Sequence, residues 1–233
     1  MSSSVSLVRA SRWLGVAVVA AVALGAPRMW AADPPSSEGW EQIDKRGSLT
    51  IYARNRPGTS IRETRAIGTL EAPNWVIKNV LDDVEGYTSF MPYIVETKLI
   101  WRNPAKRTLA VYTRMTPPLI DPRDYTLLIK DDSHKAGDGQ VVYGSHWTAA
   151  NERGPAEKSG TVRVNLNEGS WLLEPIEGGE RTKGTYTLFT DGGGGIPAFV
   201  FNTLSKRRLN ELYEVLNKQS KEDKYHQSKP VVP

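Results

Sequence analysis

From Leu49 onward the chain alternates apolar and polar positions in short runs. Leu49 to Asn55 and Ile61 to Leu70 read as two strands, joined by the turn formers Arg56-Pro57-Gly58-Thr59, and predict a hairpin. The period then changes. Trp75, Val76, Val80, Leu81 and Val84 recur at helical spacing behind Pro73, whose missing N–H costs nothing in a first turn, so a helix is expected from Pro73 to about Asp83. Tyr87 to Phe90 should form a second short helix, stopped by Pro92.

The chain from Ile94 to Thr190 is rich in Val, Ile, Thr, Tyr and Trp at period two. Strands are expected around Ile94 to Arg102, Thr108 to Thr116, Asp124 to Asp131, Gln140 to Thr148, Gly160 to Asn167, Trp171 to Glu174 and Thr182 to Thr190. The Pro-, Gly- and Asn-bearing breaks between them are short, which favours antiparallel neighbours. After Gly192 to Gly195, an amphipathic stretch starts at Ile196-Pro197. It sets Val200, Leu204, Leu212, Val215 and Leu216 against a charged side and predicts the longest helix, ending near Lys221. A run of strands bracketed by helices, without a βαβ rhythm, predicts an α+β domain whose last helix covers the sheet's apolar face.

The N-terminus departs from this pattern. Residues 1–32 hold no acidic residue, carry Arg9, Arg12 and Arg28, and contain an apolar or small run from Trp13 to Ala26, the layout of a secretory signal peptide and short for a membrane span. The expected organisation is a signal peptide at 1–32, a Pro/Ser-rich linker at 33–39, one domain at 40–221, and a polar tail at 222–233 that frays. The expected location is periplasmic or secreted.

Charge matters once the leader is set aside. The whole chain has 30 basic and 26 acidic residues; without the three leader arginines it has 27, a net charge near +1. Such a balance lacks the electrostatic footprint of a nucleic-acid binder. Zero cysteines exclude thiol catalysis, disulfides and thiolate metal sites. Gly144-Ser145-His146 lacks the Gly-x-Ser-x-Gly elbow, and no Gly-Lys-Ser/Thr follows the glycine run, so neither hydrolase nor phosphate-loop chemistry is expected. His134, His146 and His226 are too scattered for a metal site, and no metal, nucleotide or redox cofactor is expected. Arg123-Asp124 reads as a loop-fixing pair of charges.

A series of short matches carries a family resemblance. Tyr87-Thr88-Ser89-Phe90-Met91-Pro92, Pro117-Pro118 with Arg123-Asp124-Tyr125, Val162-Arg163, Gly169-Ser170-Trp171-Leu172-Leu173-Glu174-Pro175, Thr182 to Tyr186, and Asp191-Gly192-Gly193 with Ile196 to Asn202 together resemble the START (StAR-related lipid transfer) domain family, in family order, over most of Trp40 to Lys218. The resemblance implies a helix-grip (START/Bet v 1-like) fold, in which a curved antiparallel sheet wraps a long C-terminal helix around an internal cavity. It also implies a non-enzymatic protein that binds, and transports, a single lipid, sterol/hopanoid or phospholipid. A quinone-binding accessory protein and a polyketide cyclase/aromatase are the alternatives on the same fold.

Strand alternation and the start of the last helix nominate the lining: Leu109, Val111, Thr113, Met115, Val162, Val164, Ile196, Phe199, Val200, Thr203 and Leu204, with His146 as a polar contact. The proline-bound segment Thr116 to Pro122, with apolar Leu119 and Ile120, is the expected gate, and its membrane-facing tip is expected to touch a bilayer transiently. The partners are thus a hydrophobic small molecule and a membrane surface, with a monomeric protein.

Overall fold

The structure, a computed structural model, describes residues 39–196 and 198–232, without the side chains of 198–202. The expected signal peptide and nearly all of the linker lie outside the described residues, as do the side chains of Phe199 and Val200. Among the described residues the order is β1 (Glu41–Arg46), β2 (Leu49–Asn55), β3 (Arg62–Leu70), α1 (Asn74–Asp82), α2 (Tyr87–Phe90), β4 (Ile94–Asn103), β5 (Thr108–Met115), β6 (Arg123–Asp131), β7 (His134–Lys135), β8 (Val141–Ala149), β9 (Val162–Arg163), β10 (Leu166–Ile176), β11 (Arg181–Asp191) and α3 (Ala198–Gln219). One curved sheet runs β1-β2-β3-β11-β10-β8-β6-β5-β4. Its neighbours are antiparallel apart from the short β9, which lies parallel to β6. This is the expected α+β helix-grip arrangement.

Beyond the two-residue β7, which falls in a stretch read as a break, three elements differ from what the sequence pattern predicts. β1 is too charged to show alternation, yet it pairs with β2 through a bulge between Gln42 and Asp44. The stretch expected as one strand at 160–167 is split into β9 and the beginning of β10, which runs unbroken through Asn167-Glu168-Gly169, residues that read as a turn. Gly169 is kept in the strand by crowding: a Cβ there would stand 2.3 Å from the Thr187 carbonyl oxygen and 2.5 Å from the Trp147 ring. The tail, expected to fray, makes packed contacts. Tyr225 is buried, its hydroxyl donates to Asp83 Oδ2 at 2.8 Å, and Asn79 Nδ2 donates to the carbonyls of Tyr225 and Ser228, so the chain end straps α1.

Two helices fill the space beside the sheet. α1 starts where the Pro73 carbonyl accepts from Val76 and Ile77, and it buries Val76, Ile77 and Val80. Asn74 Nδ2 ties it to the Val141 and Leu173 carbonyls at 2.8 and 3.2 Å. α3 buries Leu209, Tyr213 and Leu216 at helical spacing against Leu49, Ile51 and Ala66. It can come this close because Gly68 and Gly184 are cross-strand partners beneath it. A Cβ on Gly68 would meet Leu49 Cδ1 at 2.9 Å and Tyr213 Cε1 at 3.0 Å. The Tyr213 hydroxyl reaches the sheet backbone itself, 2.8 Å from the Gly184 carbonyl and 3.1 Å from that of Ala66. Among the described residues no helix is long and apolar enough to cross a membrane.

Candidate functional site

The sheet and α3 do not close on each other completely. A cavity of about 460 Å³ lies between them. Along β5, alternation turns Leu109, Val111, Thr113 and Met115 to it; Leu127 and Ile129 of β6 continue the wall, and Val164 completes that side. Ile196, just before α3, and Leu204, in its second turn, also face it. This surface is aliphatic and can shed water at little cost.

The end nearest α1 is charged, and its charges are paired. Lys78 Nζ sits 2.6 Å from Asp82 Oδ1 and 3.4 Å from Asp131, which Arg107 also holds at 2.7 Å. Burial raises the Asp82 carboxyl above the usual carboxylate range against the pull of Lys78. Burial pushes Asp131 up too, but the hydrogen bonds from Ser133 and the Lys78 charge outweigh it and hold that carboxyl low. Between these groups and α3 lies an aromatic cluster: the Trp171 ring is 4.8 Å from Tyr186, and the Trp147 ring is 5.6 Å from Tyr186. Burial pushes the Tyr186 phenol up to about 12.

The end of the cavity expected to be its mouth is lined by loops, with Pro117, Pro118 and Ile120 on one side and Gly192 and Ile196 on the other. Arg123, itself buried, donates from Nε to the Gly192 carbonyl at 3.2 Å and from Nη1 to the Asp121 carbonyl, which joins the 116–122 loop to the glycine run. Gly193, Gly194 and Gly195 all have φ near +65°, a left-handed run that side chains resist. Asp124 does not pair with its neighbour Arg123. It is fully buried and bound by Arg163 Nε at 2.7 Å and Nη2 at 3.2 Å and by the Tyr112 hydroxyl at 3.1 Å, a scaffold knot below the mouth.

No protein-family model matches the chain. An uncharacterized protein of Pseudomonas aeruginosa is 27% identical over 168 residues, which cover 72% of this chain and 79% of that one. The crystal structure of a STAR-related lipid transfer protein fragment from Xanthomonas axonopodis superposes with a TM-score of 0.69 at 23% identity, over 79% of this chain and 100% of that one. The chain has the START fold. Human StAR-related lipid transfer protein 5 superposes with a TM-score of 0.68 at 20% identity, over 83% of this chain and 90% of that one.

On this START fold the sequence-nominated residues separate into three groups. Leu109, Val111, Thr113, Met115, Ile120, Val164, Ile196 and Leu204 come together around the cavity. Others stand elsewhere. Leu119 is 92% exposed at the loop tip, with a left-handed φ of 68°. Val162 lies outside the lining: its methyls stand 2.9 Å and 3.2 Å from where a Cβ on Gly193 and Gly194 would be. Thr203 is exposed. His146 is turned out by the alternation that turns Ser145 and Trp147 in, and it pairs with Asp132 on the outer face. Phe199 and Val200 form the third group, outside the described side chains.

Pattern reading misses the polar lining. Lys78, Asp82, Arg107, Asp131 and Arg208 escape it because charged side chains default to solvent. One signal is available: Arg208 lies four residues after Leu204, one turn on along the same helix face. Among the described residues no group of three or more His, Cys, Asp or Glu is placed to hold a metal.

Proposed function

We propose that this protein binds one hydrophobic molecule in the cavity under α3 and carries it, chemically unchanged, in the periplasm. The observation that supports this best is the cavity itself: about 460 Å³ within the START fold, in the usual range for a site that takes one small ligand, with an aliphatic wall on β5 and β6. Each ~100 Å² of apolar ligand surface kept from water there is worth about 2.5 kcal/mol gross. The names of the similar structures, lipid transfer proteins from Xanthomonas and human, favour the same reading. So does the tying of the cavity's acidic groups Asp82 and Asp131 into ion pairs with Lys78 and Arg107, which suits a fixed lining better than proton transfer. The charge-poor apolar leader supports export.

The test is mass spectrometry of an organic extract from protein purified from periplasm without detergent. One hydrophobic species in near-stoichiometric amount is the expected result. An empty extract together with no uptake of any added lipid overturns the reading, and a bound quinone moves it to the accessory-protein alternative.

A further inference from the structure

Most cations that line the cavity are already balanced. Lys78 and Arg107 share Asp82 and Asp131, Arg207 is 2.7 Å from Glu211, Arg123 is bonded to two backbone carbonyls, and Arg102 is exposed to solvent. Arg208 is different. It projects from the middle of α3 into the space between the aromatic cluster and the end of β5, where it donates from Nη1 to the Met115 sulfur at 3.4 Å. Its other partners are phenols: Tyr125, which is within hydrogen-bonding reach, and Tyr186 and Tyr93, none of them a carboxylate. Among the described residues no carboxylate lies within ion-pair distance of it.

A guanidinium partly withdrawn from bulk water without an anion, as half-buried Arg208 is, carries a cost that an arriving anion would offset. Arginine remains charged at any ordinary pH and presents a planar fork that fits two oxygens of one carboxylate or phosphate. The aliphatic wall of Leu109, Val111 and Leu127 leads away from that fork, so the cavity has a polar anchor and an apolar run. Size narrows the ligand further. A cavity of about 150 Å³ holds one benzene, so 460 Å³ takes roughly 18 carbon atoms on the same ratio, far fewer than a two-chain phospholipid carries.

We propose that Arg208 is the headgroup-binding residue of this cavity and selects a single-chain amphiphile ending in an oxyanion, a carboxylate or a phosphate. This rests on the reading of the cavity as a ligand site.

The experiment titrates the delipidated full chain with four probes of equal chain length: hexadecanoate, hexadecyl phosphate, hexadecanol and hexadecyltrimethylammonium, each below its micelle concentration. The wild type should bind at least one anionic probe about tenfold or more tightly than the alcohol, and the cation weakest of all. Comparison of the two anions tells carboxylate from phosphate. Arg208→Met should lose that preference and bind the alcohol as the wild type does. Its melting temperature without ligand should be unchanged or higher, because the variant removes an unpaired charge. Equal affinity of the wild type for the acids and the alcohol overturns the headgroup proposal and leaves the cavity reading standing, as does a full anion preference in Arg208→Met. Arg208→Lys, which keeps the charge and loses the fork, should recover only part of the preference; a variant of either kind that fails to fold is replaced by Arg208→Gln, read in the same way. Failure of the wild type to bind all four probes overturns the cavity reading itself.

Discussion

Single residues of this protein are held by backbone conformation and by charge in ways that can be measured separately. Gly195 has a φ of +66° and nothing within 4 Å of where a Cβ would stand, so a substitution there meets strain without a clash. Gly195→Ala should therefore cost about 1 kcal/mol in urea unfolding, and Gly195→Asn distinctly less, since Asn tolerates the left-handed region. Equal costs would show that crowding, not conformation, keeps the glycine. Glu96 is the clearest titrating contributor. Lys158 donates to it at 2.6 Å, Lys98 lies 2.9 Å away and Arg114 donates at 3.2 Å; with the Lys158 hydrogen bond the largest influence, its carboxyl is lowered to about 2. A carboxylate lowered in the folded state stabilises fully above its ordinary value of 4.5, and that contribution is lost as pH falls toward 2. Glu96→Gln should thus melt about 2–4 °C lower at pH 7, about 1 kcal/mol after screening, and the gap should close between pH 4.5 and 2. A gap that persists at pH 2 would contradict the assignment.

Among the elements, the strongly periodic ones are legible in the sequence and the crowded ones are not. β5 stands out because its apolar residues recur at period two, so Val111, Thr113 and Met115 are nominated together and lie together on the cavity, although Ala110 and Tyr112 on the opposite face are buried as well. α1 is legible from its apolar stripe. β10 is not, since Asn167-Glu168-Gly169 carries turn chemistry that tertiary contacts override: Gly169 makes room for the Trp147 ring, and Trp147 Nε1 donates to Asn167. β1 is invisible because an outer strand with exposed charges has no alternation to read. The cavity's polar anchor escapes because residue type says where a side chain usually goes, while helix phase says where this one goes. Packing of α3 on the paired glycines makes it the element most sensitive to truncation at its far end. Leu216 is fully buried, and Leu216→Ala should cost about 2–5 kcal/mol by chemical denaturation. A cost below about 1 kcal/mol would mean that the helix end is not docked as described.

The whole molecule sets long sheet ladders against one loop-built end of the cavity. β10, β11 and β8 form long continuous ladders beneath α3, whereas the mouth depends on a proline-stiffened loop, a left-handed glycine run and Arg123 between them. The two apolar residues of that loop divide the work: Ile120 faces the cavity, and Leu119 faces out. Leu119→Asp should accordingly leave the melting temperature within about 1 °C, because an exposed loop tip supports little packing. If this tip meets a bilayer during transfer, as expected from the sequence, the variant should slow lipid transfer between vesicles severalfold, since a charge there is costly to desolvate. Unchanged transfer would remove Leu119 from any membrane contact.

The pairing of β3 with β11 also has a consequence in time. Thr182 donates to the Ala72 carbonyl at 2.6 Å across 110 residues of chain, and the register runs from Leu70 opposite Thr182 to Thr64 opposite Leu188. The first three strands have no native neighbour on that side until β11 has been synthesised. Closure by such distant contacts is slow, because the entropy of the intervening chain must be overcome before any pairing rewards it. A nascent chain built in this order stays open on that side until β11 has left the ribosome, and an open chain is the form that can be threaded through a narrow channel before it folds.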